Sequence, residues 1–365
     1  MPKKVICVGK IKIIKKYDLN TSAWRDALTL DEQKKAFAIA SYKEIKHKDE
    51  DSYNYIIVAD GCKVEDRAIS PDCTHIQNSS FGISNIMNYF NKKDDNYRIR
   101  LIMVDIDGPH VDESIWLAKY INKLSLREDV KTINYLGFSK CGVMGLNLIK
   151  YLNKEALLKT RVYSISSPYT GSILASPIYL KQECKKILSS ILGENIITDK
   201  IVEELLKVHF NIFTDSHMDY DISLPGGISK DAMNRYDPRF LENIFSEENI
   251  SAAHRVAHWQ NICTHITDKT KREIIRSGNL MNIGFCIINK YLYNKMSDGI
   301  VPLKSQKTVE RYFDDEHRTS KVIAAPHSIM FTSSYVNPLL DIVDGNMSDE
   351  ILSLKRKNKN DSNKC

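Results

Sequence analysis

Residues 133–145 read INYLGFSKCGVMG, and they place a serine where a buried apolar run gives way to a helical pattern. Thr132–Leu136 is predicted as a strand and Gly142–Leu152 as a helix, which leaves Ser139 at the turn between them. So tight a turn needs small residues two before and two after its tip, and Gly137 and Cys141 stand there. It would hold the serine in a strained conformation with its hydroxyl above the sheet edge. The N–H of Lys140 would then open a helix and face any oxyanion formed beside Ser139. A serine of this kind needs a base, and the base needs an acceptor to fix its tautomer. Asp298, in MSDGIVPLKSQ, and His327, in VIAAPHSIMF, supply both in the chain order nucleophile, acid, histidine. Each is expected at the carboxyl end of a strand, where open α/β sheets gather their ligands.

These segments resemble the lipase-like, serine esterase branch of the α/β-hydrolase superfamily. The resemblance rests on GFSKCG (137–142), SISSPYTGS (164–172), SDGIVPLKSQ (297–306) and the place of His327. It covers about residues 55–340, apart from an insertion described below. It implies Ser139 as nucleophile, Asp298 as acid, His327 as base, and the N–H groups of Lys140 and Cys62 as the oxyanion hole. It further implies cleavage of a carboxylic ester, of a lipid or acyl substrate, with no cofactor. Two departures stand out. VADGC (58–62) puts Asp60-Gly61 where such lipases carry His-Gly, and Cys141 takes the second glycine position of the turn. A backbone N–H at residue 62 does not depend on its side chain, whereas a carboxylate at Asp60 would oppose an oxyanion unless turned away. Two alternatives therefore stand beside the hydrolase: a catalytically silent scaffold that binds a partner or lipid, and an acyltransferase using the same residues.

Other constellations carry less. His254 and His258 are four apart, with His265 following, but no carboxylate accompanies them and no metal is expected. Asp105, Asp107 and His110 read as strand-end and helix-cap residues. Cys141 as nucleophile would sit two positions past the tip and point into helix packing.

The elements that must position these residues alternate. Tyr55–Ala59, Arg100–Val104, Thr132–Leu136 and Arg161–Ile165 are apolar runs without alternation, separated by helical patterns at Ser80–Phe90, Asp112–Leu124 and Gly142–Leu152. Such runs are buried on both faces of a parallel sheet built from βαβ units. Val5–Val8 and Ile11–Ile14 read as an opening hairpin. Residues 176–279 read as a helical cap, with Lys200–Phe213 amphipathic, and the strands resume at Asn282–Ile288 and Lys321–Ala325 before a final helix after Ser328. The expected architecture is thus an α/β-hydrolase core over residues 1–175 and 280–345. Its mostly parallel central sheet is flanked by helices, with a helical cap inserted over 176–279 and a basic flexible tail over 346–365.

Composition fits that picture. The chain has 365 residues, 42% hydrophobic and 27% charged, enough for a large core. Its net charge of +6 is concentrated at the ends. The first 16 residues hold six lysines and no acid, and residues 355–365 contribute +4, so the body between carries about −4. A basic nucleic-acid surface is therefore not expected, and contact with nucleic acid is set aside. The eight cysteines show no CxxC pair, which argues against structural zinc. No apolar run is long enough for a transmembrane helix, and no Sec-type leader is visible. The default expectation is a cytoplasmic protein with reduced thiols, with export without a cleaved signal left open and transient contact with a membrane surface compatible. Oligomeric state is not legible.

Overall fold

The computed structural model of the chain describes residues 12–13, 39–45, 53–60, 83–92, 98–105, 110–172, 186, 189, 243–277, 286, 289–290, 296–313, 320–327, 329 and 334–347. Its strands are Lys12–Ile13 (β1), Ile39–Ile45 (β2), Tyr53–Asp60 (β3), Arg98–Asp105 (β4), Val130–Phe138 (β5), Thr160–Ile165 (β6), His258–His265 (β7) and Lys321–Ala324 (β8). They form one sheet in the order β1-β2-β4-β3-β5-β6-β7-β8. From β4 to β8 every neighbouring pair is parallel, while β2 joins β4, and β1 joins β2, antiparallel.

The helices are Ile83–Lys92 (α1), His110–Ser125 (α2), Lys140–Ile149 (α3), Lys154–Lys159 (α4), Glu247–Arg255 (α5), Asp268–Ser277 (α6), Leu303–Gln306 (α7, running on into a 3₁₀ turn) and residues 334–347 (α8). The path from β3 through α1 to β4 steps one way along the sheet. The paths from β4 through α2 to β5, and from β5 through α3 to β6, step the other way. Right-handed crossovers then put α1 on the face opposite α2 and α3. The reversal leaves a crevice at the carboxyl ends of β3 and β5, where a ligand site is expected.

The core explains the apolar runs. Tyr55, Ile56, Ile57, Val58 and Ala59 are all buried, so β3 is covered on both faces. Residues 141–149 of α3 are likewise buried, because the helix packs on β5 and β6 and is covered by α2 and α5. At Gly145 an added Cβ would stand 2.9 Å from a ring carbon of Tyr135, so helix and strand approach at a distance only glycine allows. Asn153 starts α4 by accepting from the N–H of Ala156 at 2.8 Å.

Two expectations are corrected. The stretch 258–265, read as part of a helical cap, is the core strand β7, paired with β6 and β8 and flanked by α5 and α6. The core therefore reclaims at least residues 243–277 from the insertion. Within the strand expected over 282–288 only Cys286 is among the described residues, and it is helical, as are residues 289–290 just beyond. β1, within the run 11–14 expected in an opening hairpin, pairs with β2. Residues 5–8, the amphipathic stretch 200–213 and the basic tail beyond 347 lie outside the described residues.

Candidate active site

Strand β5 ends at Phe138 and α3 begins at Lys140, leaving Ser139 alone in the turn. Its φ of 54° and ψ of −124° lie where a non-glycine residue is strained by about 1–3 kcal/mol. The surroundings hold it there. The Ser139 N–H donates to the Ile165 carbonyl at 2.8 Å, pinning the turn to β6. A Cβ on Gly137 would come 2.5 Å from the Cys141 carbonyl oxygen, and one on Gly142 would come 1.8 Å from Ser167 Oγ. The small residue that the turn needs after its tip is thus Gly142 as much as Cys141. The buried Tyr135 hydroxyl donates to the Cys141 carbonyl at 2.7 Å, and burial pushes this phenol well above its ordinary pKa. Cys141 is buried within α3, as its sequence position implied. The Ser139 side chain makes no capping hydrogen bond to α3. Lys140, as the first helical residue, has no intrahelical acceptor for its N–H.

Asp298 sits in a tight loop. Ser297 bridges Pro302, and Gly299 between them takes φ 99°, a conformation that suits glycine. One carboxylate oxygen, Oδ1, accepts from the N–H groups of Ile300 at 2.9 Å and Val301 at 2.7 Å. The other, Oδ2, faces His327 Nδ1 at 2.8 Å, Thr264 Oγ1 at 2.8 Å and Gln306 Nε2 at 3.2 Å. Asp298 is fully buried, and its main-chain carbonyl also accepts the His327 N–H at 2.8 Å. The imidazole is tied at Nδ1, so Nε2 is the nitrogen left for other work. The His327 ring lies 4.9 Å, centroid to centroid, from that of Phe138, the residue directly before Ser139.

The segment 166–172 explains why two of the sequence motifs occur together. The hydroxyl of Ser305 donates to the Gly171 carbonyl at 2.9 Å and accepts from the Thr170 N–H at 3.0 Å, and Ser172 Oγ donates to the Ile300 carbonyl. The loop after β6 thereby clamps the loop of Asp298. Tyr169 anchors it from below through Ser164, which also contacts Ser167 at 2.7 Å.

The sequence-derived residues distribute as follows. Asp298 and His327 are in direct contact, and Ser139 follows Phe138 at the carboxyl end of β5, the residue whose ring lies against that of His327. Cys62 lies outside the described residues. For Asp60, only the backbone, at the end of β3 in register with Asp105, is described. His254 and His258 do not share a helix face, since α5 ends at Arg255 and His258 opens β7, where its Nε2 contacts Asn346 at 3.2 Å. Thr264, Gln306 and Ser166 carry no signal of their own in the sequence: Gln306 and Ser166 stand inside the motifs 297–306 and 164–172, and Thr264 lies in the stretch expected as cap.

Taken together, the strand order, the parallel run from β4 to β8, the strained serine between β5 and α3, the acid in a loop against Thr264 of β7, and the histidine just after β8 define an α/β-hydrolase fold. No protein-family model matches the chain, and no curated protein matches it. Among solved structures, it is similar to a lipase–esterase related protein from Clostridium acetobutylicum, with 12% identity and a TM-score of 0.38 over 82% of this chain and 97% of that one. It is also similar to an inhibited esterase B from Lactobacillus rhamnosis, with 9% identity and a TM-score of 0.39 over 97% and 90%. A meta-cleavage product hydrolase, CumD, gives 11% identity and a TM-score of 0.40 over 84% and 95%. Scores this low add nothing to what the strand order and the turn at Ser139 define.

Proposed function

We propose that this chain is a serine hydrolase that cleaves a carboxylic ester through an acyl-enzyme. The observation that carries the reading is the buried Asp298–His327 pair, 2.8 Å apart, at the sheet edge where Ser139 is held in a strained turn. Asp298 accepts the Nδ1 proton of His327, which leaves Nε2 as the basic nitrogen. His327 takes the proton of Ser139 as Oγ attacks the ester carbonyl. The N–H groups of Lys140 and Cys62 receive the tetrahedral oxyanion. His327 then hands the proton to the leaving alcohol, and water, activated by the same imidazole, releases the acid and restores Ser139.

For the substrate we propose a lipid or another ester with a sizeable acyl group. Support comes from the apolar character of the insertion, with Leu205, Leu206, Phe210 and Phe213 in an amphipathic stretch that follows β6 in the chain. Transient contact with a membrane surface accords with such a substrate.

The test is rapid-mixing hydrolysis of a p-nitrophenyl ester by the full chain. The expected result is a burst of nitrophenol close to one per protein, with kcat lowered roughly 10⁴-fold or more in Ser139→Ala and in His327→Ala. Turnover that survives both substitutions would overturn the proposal.

A further inference from the structure

We infer that Ser166 and Thr264 form a buried hydroxyl bridge that positions Asp298 and ties it to the strand holding Ser139; the inference rests on the serine hydrolase reading above. The Thr264 hydroxyl donates to Asp298 Oδ2 at 2.8 Å. Its single proton is then committed, so at its 2.6 Å contact with Ser166 Oγ it is the acceptor. The direction is therefore fixed: Ser166 to Thr264 to Asp298.

Both hydroxyl residues are completely buried, so neither can meet substrate. Two apolar side chains of similar size would fill that space without hydroxyls that demand partners, so packing alone does not account for the pair. Ser166 also carries strain. Its φ of 53° is the only positive value besides that of Ser139 among the non-glycine described residues. The two serines repeat one device on adjacent strands. The Ser139 N–H bonds the Ile165 carbonyl at 2.8 Å, and the Ser166 N–H bonds the Ile262 carbonyl at 2.9 Å. Consecutive residues thus do different work: Ile165 holds the backbone of Ser139, and Ser166 starts the bridge to its acid.

The bridge supplies what the backbone cannot. Two N–H groups fix Oδ1 of Asp298, but the direction of Oδ2 still depends on rotation of the carboxylate. The Thr264 hydrogen bond to Oδ2 restrains that rotation, so a lone pair of Oδ2 stays on His327 Nδ1. Gln306 backs the arrangement. Its amide oxygen accepts the Thr264 N–H at 2.7 Å, and its Nε2 reaches the Thr264 carbonyl at 3.0 Å and Oδ2 at 3.2 Å. Ser166 and Thr264 are positioning residues, acting on the histidine through the acid.

The experiment uses Thr264→Val, Thr264→Ser and Ser166→Ala in the full chain, followed by ester turnover, thermal melting and the low-field proton resonance of His327 Nδ1–H. Thr264→Val should lower kcat by roughly 10- to 100-fold with KM little changed, as expected for a misplaced catalytic group. It should shift or broaden the low-field resonance while melting stays cooperative. Thr264→Ser should restore both, and Ser166→Ala should fall between. Wild-type kcat and resonance in Thr264→Val, or a serine variant no better than the valine one, would overturn the inference. If the wild-type chain turns over no ester, the hydrolase reading fails. The resonance still decides the bridge: an unchanged signal in Thr264→Val refutes it, and loss with recovery in Thr264→Ser supports it.

Discussion

His327 is tied to Asp298 twice, through its ring Nδ1 to Oδ2 at 2.8 Å and through its own N–H to the Asp298 carbonyl at 2.8 Å. The second bond fixes the backbone from which the ring projects, so only the two side-chain torsions of His327 remain to be set for the first. That economy matters because Lys321–Ala324 is a short edge strand and His327 follows it by only three residues.

Asp298→Asn tests how much depends on the carboxylate. Five donors converge on its two oxygens, and an amide offers only one oxygen to them. The nitrogen must face either main-chain N–H groups or the donors on the His327 side, leaving buried donors unpaired at about 1–3 kcal/mol each. We expect kcat to fall about 10⁴-fold and the melting temperature to drop. Assay of the purified variant with intact secondary structure checks this, and near-wild-type turnover would contradict it.

The turn makes opposite demands at two neighbouring positions. In Gly142→Ala the new methyl meets Ser167 Oγ at 1.8 Å and Ser164 Oγ at 2.7 Å, so the turn must shift. A cost of about 1–3 kcal/mol and a large loss of turnover should follow. At Cys141 it is the carbonyl that is held, by Tyr135, so Cys141→Ala should keep most activity. Urea melts and ester assays on both variants decide the point. Activity lost in Cys141→Ala but kept in Ser139→Ala would name the wrong nucleophile.

Much of this was legible in the sequence because it was local. The apolar run before Ser139, the small residues around it and the β8 run before His327 each mark an element boundary within a few residues. Strand β7 was not legible. HWQNICTH carries the buried polar residues Gln260, Asn261 and Thr264, and the donors of the last two reach partners far along the chain. Asn261 donates to the Gln306 carbonyl at 2.9 Å and to Ser320, and Thr264 donates to Asp298. A central strand whose polar groups depend on tertiary contacts shows no strand pattern by itself. At Cys286, inside the run 282–288, the helix was illegible for the converse reason, since a short apolar stretch fits helix and strand alike. The bridge from Ser166 to Asp298 was hidden for the first reason, as half of it lies on β7.

Buried acids that stay protonated predict the response to alkali. Burial raises Cys263 from 9.0 to about 12 and Tyr163 from 10.0 to about 12. Between about pH 9 and pH 12 the unfolded chain gives up protons that the folded chain keeps, so stability falls as pH rises, by about 1.4 kcal/mol per pH unit for each group fully in its window. Urea midpoints measured at rising pH should decline over that range and decline less in Tyr163→Phe. A flat profile, or an equally steep one in the variant, would contradict the assignment.

Acyl preference tests the proposed substrate class. If the apolar insertion covers an acyl chain, p-nitrophenyl esters of medium and long chains should give higher kcat/KM than the acetate, at concentrations below micelle formation. A clear preference for acetate would remove the acyl-binding role and leave a small-ester hydrolase.

The central claim is that Ser139 is a nucleophile activated by His327 and Asp298. Reaction of the native chain with a fluorophosphonate probe, followed by peptide mapping of the adduct, addresses it most directly. The account predicts one phosphonylated residue, Ser139, with labelling abolished in Ser139→Ala and strongly slowed in His327→Ala. No adduct on the folded wild-type chain, or an adduct that persists in Ser139→Ala, would contradict it.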